Sequence, residues 1–169
     1  MFKRWMKIDP RKSALIIGPR RSGKTTFLKL EFPEYHYATL DDLDFLEWAE
    51  KDPKGFIKSL GKRCIIDEIQ RVPKLTIAVK YAIDNENVHI IMTGSSAIGL
   101  LDSSADTLAG RINIYSMTPA CWGENISPPR HSIFSERADV PTLKRGMRNF
   151  EEALTYGLFP EIVCTASTE

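Results

Sequence analysis

Between an apolar tetrapeptide, Ala14-Leu15-Ile16-Ile17, and a helix-favouring run, Lys24–Leu30, the chain carries Gly18-Pro19-Arg20-Arg21-Ser22-Gly23-Lys24-Thr25. No other stretch restricts the fold so tightly. The spacing is G-x-x-x-x-G-K-[ST], which random sequence of this length produces in about one chain in two hundred. Glycines leave the backbone unhindered, and a helix starting at the end of such a loop points partial positive charge at whatever the loop encloses. Successive main-chain N–H groups can therefore wrap a phosphate chain. In that reading Gly18 to Gly23 supply the cradle, Lys24 reaches the β- and γ-phosphate oxygens, Thr25 puts its hydroxyl on Mg²⁺, and Thr26 touches the α-phosphate. Arg20 and Arg21 either meet phosphate or face water. A plain glycine turn is the bland alternative, and the match at every fixed position weighs against it.

The flanking pattern predicts how the loop is held. Short apolar runs alternate with helical stretches, which produces a parallel sheet covered by helices. Strands are expected at Ala14–Ile17, Tyr35–Leu40, Cys64–Ile66, Val88–Met92 and Ile112–Tyr115. Helices are expected at Lys24–Leu30, at Leu43–Lys51 capped by Asp41-Asp42 and interrupted by Pro53, and at Pro73–Asn85. The last of these should bury Leu75, Ile77, Ala78, Tyr81 and Ala82. Prolines at 119, 128, 129 and 141 predict irregular, linker-like chain over residues 119–149, with a final helix at Arg148–Tyr156. The expected organisation is a core over residues 1–118 followed by the start of a helical region over 119–169.

Cys64-Ile65-Ile66 runs straight into Asp67-Glu68. In parallel α/β sheets ligands gather beyond the carboxyl ends of strands, so these acids can face the glycine loop. Asp67 would then serve the metal and Glu68 would orient and deprotonate an attacking water. Without the glycine loop, an Asp-Glu pair after a strand would equally begin a solvated turn. Thr93-Gly94-Ser95-Ser96 ends another strand, and either Thr93 or Ser95 fits a polar sensor of the terminal phosphate as well as it fits a helix cap. Arg111 precedes the fifth strand, where it is either a solvated arginine or a group that stabilises transition-state charge on a neighbouring copy's nucleotide.

Bulk properties remove several classes. The 169 residues are 43% hydrophobic and 27% charged, which suits one folded domain. With 23 Lys+Arg against 22 Asp+Glu, whole-chain charge predicts neither a nucleic-acid nor a membrane-surface binder. The basic residues Arg130, Arg137, Lys144, Arg145 and Arg148 are scattered rather than patched. Three widely spaced cysteines fit no disulfide framework or zinc site, and no apolar run is long enough to span a bilayer, so a cytoplasmic protein is expected. No Asn-Lys-x-Asp guanine signature occurs, which favours ATP over GTP.

Gly-Pro-Arg-Arg-Ser-Gly-Lys-Thr-Thr at 18–26, Leu-Asp-Asp at 40–42, Ile-Asp-Glu-Ile-Gln at 66–70, Met-Thr-Gly-Ser-Ser at 92–96, Leu-Ala-Gly-Arg at 108–111 and Gly-Leu-Phe-Pro-Glu at 157–161 together resemble one family. It is the bacterial and archaeal AAA-type P-loop ATPase family, whose members join an N-terminal ATPase domain to a C-terminal domain of undefined or nuclease-like function. The resemblance implies a three-layer α/β P-loop NTPase sandwich with a parallel five-stranded sheet in the order 5-1-4-3-2. It also implies ATP with Mg²⁺, and hydrolysis coupled to movement of an attached module. By position, Lys24 and Thr25 bind nucleotide and metal, Asp67 serves the metal, Glu68 activates water, Ser95 is the sensor and Arg111 acts across a subunit edge. Such members usually extend well past this length, so the lid and C-terminal domain are expected to be missing, with a protein or DNA partner engaged through them. A non-hydrolysing nucleotide-binding interaction module is the alternative. A small-molecule P-loop kinase ranks below both, because Asp67-Glu68 favours water activation and no arginine-rich lid separates the strands.

Overall fold

The computed structural model describes residues 4–95 and 107–120, with Gly157, Phe159 and Pro160. The final helix expected at Arg148–Tyr156, the scattered basic residues and Ser96 lie outside these described residues. So do Cys121, Cys164 and most of the expected linker region.

Five short strands form one parallel sheet: β1 (Ala14–Ile17), β2 (His36–Thr39), β3 (Arg63–Asp67), β4 (His89–Gly94) and β5 (Asn113–Ser116), in the order β2-β3-β4-β1-β5. This is the expected order, read from the other edge. Four helices cover it: α1 (Lys24–Glu31), α2 (Leu43–Lys51), α3 (Pro53–Ser59) and α4 (Leu75–Glu86). Inner strands β1, β3 and β4 are buried at nearly every position, as they must be when both faces of a parallel sheet are covered. Register aligns the strand ends: Ile17 pairs with Gly94 and with Ser116, and Ile66 with Met92. The loops after β1, β3 and β4 therefore leave the sheet at one edge, on adjacent strands. Leu15, Ile66, Ile69, Leu75, Val79, Ile90 and Met92 lie in the core that anchors them.

Local chemistry explains the helix boundaries. The Asp42 carboxylate accepts from the N–H groups of Asp44 (2.9 Å) and Phe45 (3.3 Å), capping α2. Pro53 does more than interrupt α2, because it also opens α3, a helix the residue pattern did not reveal. Proline is well suited to a first helical position, where its missing N–H costs nothing, and the Asp52 side chain accepts from Gly55 N–H (3.0 Å) to cap the new helix. On α4 the expectation for Ile77 and Tyr81 is corrected: they are 66% and 46% exposed. The helix begins at Leu75, and its inward stripe includes Leu75, Ala78, Val79 and Ala82, at spacings of three and four. Ile77 and Tyr81 fall between, and the Tyr81 ring is covered by the Lys54 ammonium at 4.5 Å.

The described chain divides into two units. The sheet and its helices occupy Ile8–Arg20 and Lys24–Met117. A second unit contains residues 4–7, 21–23 and 118–120 among those described; within it Arg4 donates to the Ser22 carbonyl (2.8 Å) and the Thr118 carbonyl (2.7 Å).

Candidate functional site

The glycine loop leaves β1 pinned to its neighbour, with Gly18 N–H donating to the Gly94 carbonyl at 3.2 Å. Its backbone is left-handed at Arg21 (φ 62°) and Gly23 (φ 90°). Conformations of this kind turn consecutive amides toward one side and make anion-binding nests. Arginine in that region is strained, whereas Gly23 adopts it freely. Lys24 opens α1 with its side chain buried, and its ammonium donates to the Gly18 carbonyl (2.8 Å) and the Pro19 carbonyl (2.9 Å). Burial pulls its pKa below the ordinary lysine value, opposed by the charges of Glu68 and Asp67. A compact cation is thus folded against the loop, supported by the loop's own oxygens.

Asp67 ends β3 at 5% exposure. Its Oδ2 accepts from the Thr25 hydroxyl (2.8 Å) and the Tyr37 hydroxyl (2.6 Å), and its Oδ1 from the Thr93 hydroxyl. Burial, and next the bond to Asp67, push the Tyr37 phenol well above its ordinary pKa, so it donates throughout the physiological range. Among the described residues no lysine or arginine pairs ionically with Asp67. Its hydrogen bonds among the described residues come from hydroxyls, with the Lys24 ammonium near enough to feel its charge but not in ion-pair contact. With the Thr25 hydroxyl beside it, this donor set fits a hard divalent cation such as Mg²⁺, which takes oxygen ligands and one or two carboxylates alongside phosphate oxygens.

The chain then turns sharply. Glu68 is left-handed (φ 59°, ψ 42°), and a single 3₁₀ turn, Ile69–Arg71, follows. Glu68 N–H donates to Thr93 Oγ1 at 3.3 Å. The Gln70 amide donates to Glu68 Oε2 and, at 3.0 Å, to Ser95 Oγ, while its own Oε1 is buried with no hydrogen-bond partner among the described residues. Residues ending β3 and β4 are therefore joined side chain to side chain: Asp67 to Thr93, and Glu68 to Ser95 through Gln70.

Residues 10–126 match the family model described as AAA domain, which is more than half of the chain. The chain belongs to the AAA domain family. It is an ATP-binding domain of the AAA type. A solved structure of C. elegans PCH-2 is similar at 15% identity with a TM-score of 0.43, covering 70% of this chain and 38% of that one, so this AAA domain spans well under two thirds of that protein's length. No curated protein matches it.

The structure brings Lys24, Thr25, Asp67, Glu68, Thr93 and Ser95 of this AAA domain to the carboxyl ends of β1, β3 and β4. Arg20, Arg21 and Thr26 are exposed on and after the loop. Arg111 is elsewhere: it precedes β5 at the amino ends of the strands, where its Nε donates to Asp84 Oδ1 of α4 at 2.7 Å. Two site residues had no role in the sequence reading. Tyr37 lies mid-strand on β2, where a tyrosine signals only β propensity. Gln70 stands within the quoted Ile-Asp-Glu-Ile-Gln run, but two residues along a regular strand or helix do not bring side chains together as the turn at Glu68 does.

Proposed function

We propose that this AAA domain hydrolyses ATP with Mg²⁺ and uses the reaction to switch the conformation of an attached or partner module. The observation that carries the reading is the contact of the Thr25 hydroxyl with Asp67 Oδ2, 2.8 Å, with Glu68 next in the chain. Thr25 and Asp67 would hold the metal, which when bound neutralises phosphate charge. The loop amides and Lys24 would bind the phosphates, with the ammonium exchanging the Gly18 and Pro19 carbonyls for phosphate oxygens. Glu68 Oε1 accepts from no described residue, so that oxygen is available to orient a water and take its proton. Ser95 would sense the terminal phosphate. Arg111 stands too far around the sheet for its own loop, which leaves it the role of a charge offered to a neighbouring copy, in exchange for Asp84. A protein or DNA partner reached through further chain, and a cytoplasmic site of action, complete the proposal.

Paired substitutions test it. Lys24→Ala should weaken ATP binding about 10- to 100-fold, measured by calorimetry. Glu68→Gln should bind ATP as tightly as the parent while losing on the order of 10²- to 10⁴-fold in turnover. Undiminished hydrolysis in Glu68→Gln would move water activation to another residue, whereas ATP binding by the parent without turnover would leave a nucleotide-binding module. ADP release that depends on an added nucleoside, without free phosphate, would instead indicate a kinase.

A further inference from the structure

Three side chains at the strand ends form a line that the roles above do not use. Gln70 has two amide protons; one goes to Glu68 Oε2 and the other to Ser95 Oγ. Ser95 is thereby an acceptor, and its own hydroxyl proton is directed to none of the described residues. A hydroxyl that accepts from an amide is a better donor to a third group, because hydrogen bonds in series polarise one another. The free end of this line is an O–H at the end of β4, the strand next to the glycine loop. The other end is the carboxylate assigned to the water.

The backbone is bent to make this line. A left-handed glutamate is strained, and such outliers persist where the surroundings impose them. Ile69, fully buried, locks the turn between Glu68 and Gln70. Were β3 simply to continue, Glu68 and Gln70 would share a face but stand two residues apart along it, out of contact. Gln70 Oε1 is buried with no partner among the described residues, a further cost accepted to keep the two N–H groups on Glu68 and Ser95.

We propose that Gln70 is a positioning residue that ties the Glu68 carboxylate to Ser95, so that a terminal phosphate held by the Ser95 hydroxyl sets the carboxylate for water. ADP, one phosphate shorter, leaves the Ser95 end of the line unengaged. The inference rests on the hydrolysis reading and adds to it a device for distinguishing ATP from ADP.

Gln70→Met, which keeps the volume and removes both donors, and Gln70→Ala test the device in the full chain. Turnover should fall on the order of 10- to 100-fold, as misplacing a catalytic group does, while ADP affinity stays within about twofold. Preference for a non-hydrolysable ATP analogue over ADP should fall about threefold or more, the worth of a net hydrogen bond. Ser95→Ala should lose the same preference, and adding Gln70→Met to it should cost no more. Unchanged turnover and unchanged preference in Gln70→Met would overturn the proposal. So would parallel losses of ADP affinity, thermal midpoint and turnover, which mark a purely structural role. A parent chain that binds ATP without turnover defeats the hydrolysis reading instead, and the analogue preference still decides for or against Gln70.

Discussion

Asp67 poses the sharpest electrostatic question in the molecule. A carboxylate at 5% exposure is stable only when its oxygens are satisfied, and here three hydroxyls do so without neutralising it. Tyr37 makes the shortest of the bonds with a quoted distance, 2.6 Å, from the adjacent strand. Tyr37→Phe should lower stability by about 1.5–3 kcal/mol, the worth of a hydrogen bond to a charged group, read from urea unfolding. The same variant should need more Mg²⁺ to reach half-maximal ATP binding, because Asp67 is then less firmly aimed. Equal stability of parent and variant would mean that Thr25 and Thr93 suffice to hold the carboxylate. Lys24 shows the complementary economy: its ammonium is buried, and its pKa is drawn down by that burial, yet two loop carbonyls and two nearby acids keep a cation in place.

Elements are set by their ends. Asp52 closes α2, its N–H donating to the Trp48 carbonyl at 2.8 Å, and opens α3 by accepting from Gly55 N–H. One residue thus serves two helices that would otherwise leave polar groups unsatisfied. Gly55 is required by the same contact, since a Cβ there would collide with the Asp52 carboxylate. Asp52→Ala should cost about 1 kcal/mol in thermal or urea unfolding. Gly55→Ala should cost more in the parent than in the Asp52→Ala background, where the collision is gone. Equal costs in both backgrounds would remove the steric argument. Glu68 shows the same logic at a strand end, where one left-handed residue and one 3₁₀ turn aim the Glu68 N–H and the Gln70 amide at the end of β4.

For the whole molecule, strand order does the assembling. With β1 between β4 and β5, and β3 beyond β4, the glycine loop, the Thr93–Ser95 end and the Asp67–Glu68 end occur side by side. The opposite edge carries a pH-dependent element. His89 starts β4, and its Nδ1 shares a hydrogen bond with the Tyr35 hydroxyl (3.1 Å). Burial, the leading cause, lowers the His89 pKa below 6.5, opposed by a hydrogen bond to the Lys12 backbone and by Asp9, with the Arg63 charge adding to the lowering. A histidine whose folded pKa lies below its unfolded one binds fewer protons when folded. Its contribution is therefore fully present above pH 6.5 and is lost as pH falls through and below that value. Thermal midpoints should decline from pH 7.5 to 5.5, and His89→Gln should flatten that decline; an identical slope in the variant would place the effect elsewhere.

Much of this was legible in sequence because it is local. Hydrophobic runs in the 14–17 and 64–66 segments can satisfy their backbone only as buried strands, the glycine spacing admits only a loop that bares its amides, and Asp42 caps α2 by a contact two and three residues away. What required the folded chain is whatever depends on neighbours distant in sequence. The Tyr37 hydroxyl meets Asp67 because β2 and β3 pair in one register and no other, and Arg111 meets Asp84 because a helix end returns beside β5. Ile77 faces outward because the sheet takes the face of α4 that carries Leu75, Ala78, Val79 and Ala82, about half a turn away from Ile77. Gln70 reaches Ser95 through a left-handed turn that no periodicity encodes. Local propensity acts along a few residues of chain, whereas register and packing are settled only when separate segments compete for the same core.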